Sequence, residues 1–140
     1  MRPIDFLKAL GVAIGLLAVK VLIAILAVAI YAYFIDPGHP HEYYEAAATK
    51  IVRWPVHILG TAFFLLAGYL FAKRRPQRNG LLFAAAFTAL HMIVDGATVA
   101  FKGIWNIEFA LAMLSNLIAA LAGALLAARS NAAPPVADAK

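Results

Sequence analysis

His91 and Asp95 stand four residues apart in a largely apolar stretch running from about Leu81 to Phe101. On a helix that spacing brings the two side chains together. A carboxylate beside an imidazole orients the ring, and the pair can then hold or relay a proton or take part in binding a cation. Thr88, Thr98 and Lys102 extend the same stripe at spacings of three and four. The structural alternative is a hydrogen-bonded pair that fixes helix packing.

Three other apolar stretches carry isolated polar groups. His57 lies between Arg53 and Thr61 on one helical face of the second. Arg53 is expected to anchor at a boundary, and His57 either joins a site or reaches to that boundary. Ser115 and Asn116 sit near the middle of the fourth, among Ala112, Ala119, Ala120, Gly123, Ala124 and Ala127. Small residues allow close backbone approach, and a buried Asn bonds across the contact, so packing is the default there. Lys20 interrupts the first stretch. It either meets Asp95 near the middle or extends along its stem toward the nearer end. Gly11 and Gly15 form a GxxxG helix-contact pattern.

A second, weaker group is His39, His41, Glu42 and Glu45, whose residue types suit Zn²⁺ or another divalent ion. The plainer reading of two histidines beside prolines is a solvated turn. The sequence itself requires no cofactor. Cysteine is absent, which excludes thiolate metal sites and disulfides. Walker A, GxGxxG, HExxH and GxSxG patterns are absent too.

The elements that must position these groups are dictated by hydropathy. Of 140 residues, 64% are hydrophobic and 14% charged, with a mean hydropathy of +0.84. A chain this short cannot hide so much apolar surface in its own interior. Four spans are expected: about Phe6 to Ile35, Ile51 to Ala72, Leu81 to Phe101 and Ile104 to Ala128. Roughly 20 apolar residues cross the hydrocarbon of a bilayer, so the first span must tilt or extend beyond it. Strand-like alternation is absent, and a helix pairs its own backbone in lipid. Ala27-Val28-Ala29 resembles a leader cleavage site, but the apolar run continues to Ile35 and Lys20 breaks it, so an uncleaved helix is expected.

The resulting expectation is an all-α polytopic membrane protein: one four-transmembrane-helix bundle over residues 1–129 and a disordered tail over 130–140. Glu42 to Lys50 reads as a short interfacial helix in the first outer loop. Pro55 is expected as a first helical residue or a kink. Arg2, Lys8, Lys73, Arg74, Arg75, Arg78 and Arg129 fall on one side of a four-span chain. The positive-inside rule then places both termini in the cytoplasm, in a bacterial inner membrane. The net charge of +5 is explained in the same way, and basic–aromatic interleaving is lacking, so no nucleic-acid partner is expected.

Helical rise puts His57 and Asp95 about 9 Å inside the outer edge and His91 and Asn116 about 15–18 Å inside, which favours one pocket in the outer half. The expected function is a proton- or cation-linked transporter, with a site drawn from His57, His91, Asp95, Asn116, Lys20, Thr61, Thr88 and Thr98. Four helices enclose little space, so a homodimer or larger assembly is implied. The alternatives are an accessory subunit of a membrane complex and, more weakly, an enzyme acting on a lipid-like substrate.

Overall fold

The computed structural model describes residues 2–75, 79–101 and 107–132. Arg78, Lys102, Ile104, Trp105 and the tail from 133 lie outside the described residues. The chain is all-helical: α1 (Pro3–Ile30) ends in a π-helical turn (Tyr31–Ile35), followed by α2 (His41–Lys73), α3 (Gly80–Phe101) and α4 (Ile107–Ala132). All four helices are long and apolar enough to cross a membrane.

Local chemistry fixes the helix boundaries. Pro3 begins α1, where its missing N–H has no intrahelical role, and the Asp5 carboxylate accepts the Arg2 backbone N–H at 2.9 Å. Asn79 caps α3 by accepting the Leu82 N–H at 3.0 Å. Gly38, with φ of 94°, supplies the left-handed residue of the turn between α1 and α2.

Two expectations need correction. Residues 42–50 are not a separate surface helix; they form the first turns of α2, which runs unbroken for 33 residues, about 50 Å. Polarity changes near Ile51, but nothing there stops a helix, and Pro55 sits inside it. At the other end, Ser130, Asn131 and Ala132 continue α4 rather than opening a disordered tail.

The helices pack in the ring order α1–α2–α4–α3, with α2 also touching α3 across the middle. Helix α1 buries one stripe, Asp5, Ala9, Ala13 and Leu16, half-buries neighbours such as Val12 and Leu17, and exposes Leu7, Ile14, Val21, Leu22 and Ile25. At its start the Asp5 carboxylate also lies 3.6 Å from Arg75, tying α1 to the connector after α2. Phe64 and Phe87 are fully buried at the centre. Their ring centroids are 6.1 Å apart.

Helices α2 and α4 make the closest approach. A Cβ added at Gly68 would fall 2.1 Å from the Ala120 carbonyl oxygen, and one at Gly123 would fall 2.1 Å from the Leu65 carbonyl oxygen. Each glycine therefore admits the other helix's backbone, and the buried alanines of α4 continue that seam. Gly60 is different: a Cβ there would stand 3.6 Å from Lys20 Cγ, an ordinary contact.

The expected outcome is that Gly68→Ala and Gly123→Ala each force the helices apart and destabilise by about 1–3 kcal/mol, the usual range for overpacking. Gly60→Ala should be close to neutral. Thermal unfolding of the three purified variants checks the contrast.

Candidate functional site

One buried turn of α1 meets one of α3. Lys20 follows the packed stripe of α1 at the next helical position, so its side chain enters the bundle. Its ammonium donates to the Asp95 carboxylate at 2.7 Å. His91 Nε2 lies 3.4 Å from Lys20 Nζ and 3.5 Å from Asp95 Oδ2. His91 Nδ1 lies 3.3 Å from the Ala13 carbonyl oxygen on α1. Three ionisable side chains are thus in mutual contact. Lys20 and Asp95 keep 16% and 18% of their side-chain exposure, and His91 keeps 1%.

The imidazole has two usable states in this setting. With its proton on Nδ1, it donates to the Ala13 carbonyl and accepts from Lys20 through Nε2. As imidazolium, it donates to both the Ala13 carbonyl and Asp95, with little movement of the ring. The Phe64 ring stands edge-on to the imidazole, 4.8 Å between centroids, and walls off one side. Thr88 is fully buried one turn below but bonds its own helix, donating to the Ala84 carbonyl at 2.8 Å.

A second polar contact joins α2 to α4, where Thr61 donates to Asn116 Oδ1 at 3.2 Å. Above it lies a cavity of about 510 Å³, lined in part by Thr49, Lys50, Arg53, His57, Glu108 and Asn116. Lys20 lines it too and so belongs to both the triad and the cavity. The lining covers two turns of α2 and of α4, a depth of about 12 Å. Arg53 pairs with Glu108 across it. Among the described residues, Lys50 and His57 form no hydrogen bond or ion pair.

The sequence candidates therefore fall into groups. Lys20, His91 and Asp95 touch; Thr61 and Asn116 touch; His57 faces the cavity shared by Lys20 and Asn116. Thr98 departs from the expected stripe. It is exposed and donates to the Val94 carbonyl of its own helix at 3.1 Å.

The histidines of the turn between α1 and α2 face separate partners. His39 lies 3.1 Å from Asp36 and His41 lies 3.1 Å from Glu45. No cluster of three or more His, Asp or Glu suited to a metal occurs among the described residues. The turn's centre is instead Asp36, which sequence reasoning missed although three tyrosines flank it. Its carboxylate accepts from Tyr43 at 2.9 Å and Tyr31 at 3.3 Å, and its carbonyl accepts from Tyr44 at 2.7 Å. The Tyr43 hydrogen bond is the main influence holding the Asp36 carboxyl below its ordinary value; burial opposes it, and His39 and Tyr31 reinforce it.

Two outcomes follow. Lys20→Met or Asp95→Asn alone strands a charge and should destabilise by about 3 kcal/mol or more, whereas the double variant should recover most of that loss. Denaturation of the three proteins completes the cycle. Because the folded value for Asp36 is the lower one, its contribution to the turn is present above pH 3.8 and is lost as pH falls below it. Near-ultraviolet dichroism of the tyrosines should show that acid transition, and Asp36→Asn should abolish it.

Searches against family models, curated proteins and solved structures find no match for this chain.

Proposed function

We propose that this chain is a small integral membrane protein that moves a solute in linkage with protons, with Lys20, His91 and Asp95 as the proton-binding centre. The observation that carries the reading is Lys20, which bonds Asp95 and His91 inside the bundle and also lines the cavity. Ionisable groups are costly within a span and are retained where they pair or serve a pathway. Here a proton added to His91 competes with Lys20 for the same carboxylate, so proton occupancy and the position of Lys20 are linked.

The topology that fits is the cytoplasmic inner membrane with both termini inside. Arg2, Lys8, Lys73, Arg74 and Arg75 share one end of the bundle, as the positive-inside rule requires. The cavity then opens in the outer half. A second copy of the chain completes the pathway. Gly11 and Gly15 on α1 have nothing within 4 Å of an added Cβ, an unused close-approach face.

That open face also favours a second reading, an accessory subunit whose α1 packs on another membrane protein. Purification in mild detergent separates the two: a stoichiometric foreign partner supports the accessory role, and a self-associated chain supports the transporter. The lipid-enzyme reading has weaker support. An apolar groove of about 490 Å³ between α1 and α2 is lined in part by Ile23, Leu26, Ile30 and Leu59, and neither His91 nor Asp95 lines it.

Proteoliposomes given a pH gradient and a panel of anionic, cationic and neutral solutes test the main reading. At least one solute should dissipate the gradient faster than protein-free vesicles do, by tenfold or more over the His91→Gln variant. If folded His91→Gln and Lys20→Met/Asp95→Asn proteins match the parent for every solute, the triad is structural.

A further inference from the structure

The cavity's charges do not balance. Lys20, Lys50 and Arg53 line it, and Glu108 is its acidic member. Glu108 pairs with Arg53, and Asp95, just beyond the lining, pairs with Lys20. Among the described residues Lys50 has no acidic partner, and His57, two turns further along α2, has no hydrogen bond or ion pair. An ammonium has three donors, and the Lys20 ammonium uses two, on Asp95 and His91, leaving one for an occupant. The rest of the wall is mainly apolar, from Val52, Trp54, Val56, Leu111 and Ala112, with Thr49 and Asn116 as its uncharged polar members. Such a site is complementary to an oxyanion carried on an apolar body.

We infer that the cavity binds an organic anion, a carboxylate or phosphate ester, and that the anion enters together with a proton. The inference rests on the proton-linked reading above and names its solute class. Lys50 and His57 receive the anion, and Lys20 completes its coordination from the floor. When Lys20 turns to the anion, Asp95 loses its partner in an apolar surrounding. A proton then binds to His91, whose Nε2–H bonds Asp95 and replaces the ammonium there. One anionic charge and one proton enter together, and no bond is made or broken except that N–H. Among the described residues, the charged and titratable groups that touch Lys20 are His91 and Asp95 from α3, and those that share its cavity are Lys50, Arg53 and His57 from α2 and Glu108 from α4.

The test uses the full chain in nanodiscs of zwitterionic phosphatidylcholine, with octanoate, inorganic phosphate and octylammonium as probes. Binding is read by Trp54 fluorescence in a Trp105→Phe background, and proton uptake by a pH dye in weak buffer. Octanoate should bind saturably with uptake of about one proton per anion, and octylammonium should not bind. Lys50→Gln, at the exposed rim, should weaken octanoate about tenfold, the scale of one charge-assisted hydrogen bond. In His91→Gln the anion should still bind, weakened, with no proton taken up.

Binding unaffected by Lys50→Gln and His57→Leu, or a preference for octylammonium, overturns the anion site and leaves the proton-linked reading standing. Lys50-dependent binding with no proton uptake in the parent overturns the linkage, and with it the proton-linked reading. If octanoate and phosphate both fail while phosphatidylglycerol nanodiscs change Trp54 fluorescence in a Lys50-dependent way, the oxyanion chemistry stands and its source is a lipid headgroup. If no probe and no anionic lipid gives a Lys50-dependent change, the site is refuted.

Discussion

The arrangement turns on one interaction, the Lys20 ammonium on the Asp95 carboxylate at 2.7 Å between α1 and α3. Both charges sit well inside helices whose other surfaces are apolar, where an unpaired charge is far costlier than a paired one. Meeting that constraint fixes the rotation of α1. The helix is apolar on nearly every side, so hydropathy alone leaves its orientation open. With Lys20 turned inward, the stripe Asp5, Ala9, Ala13 and Leu16 must also face the bundle, which brings Asp5 to Arg75 and the Ala13 carbonyl to His91.

The remaining packing divides the bundle into a tight half and an open half. Toward the basic end, Gly68 and Gly123 bring α2 and α4 to backbone contact, and Phe64 and Phe87 fill the centre. Toward the other end, α2 and α4 part around the cavity and are rejoined by Arg53 and Glu108. Thr61 and Asn116 mark the transition. A rigid floor beneath a polar opening is a suitable setting for a lysine with two possible sets of partners.

Much of this was legible in the sequence, for identifiable reasons. Four apolar stretches of adequate length read directly as helices, and His91 with Asp95 read as a touching pair because four residues is close to one helical turn. The small residues of α4 gave its seam by composition. Lys20 stayed ambiguous because a lone cation in an apolar helix has no local signal for direction, and its partner lies 75 residues away. The change in polarity near Ile51 resembles a helix end, but Glu42 to Lys50 holds no breaker, so these residues form the first turns of α2. Thr98 shares a helical face with His91, but periodicity does not say where a neighbouring helix stops. The role of Asp36 depends on tyrosines from both sides of the turn, which no single spacing reveals.

The most direct measurement of the central claim is nitrogen-15 magnetic resonance of His91 and Lys20 in lipid across a pH series. The account predicts a neutral ring protonated at Nδ1 at high pH, with Nε2 accepting from Lys20. It also predicts a second protonation of His91 that shares its midpoint with a shift at Lys20 Nζ. A Lys20 resonance that stays constant while His91 titrates, or a neutral ring carrying its proton on Nε2, would contradict it.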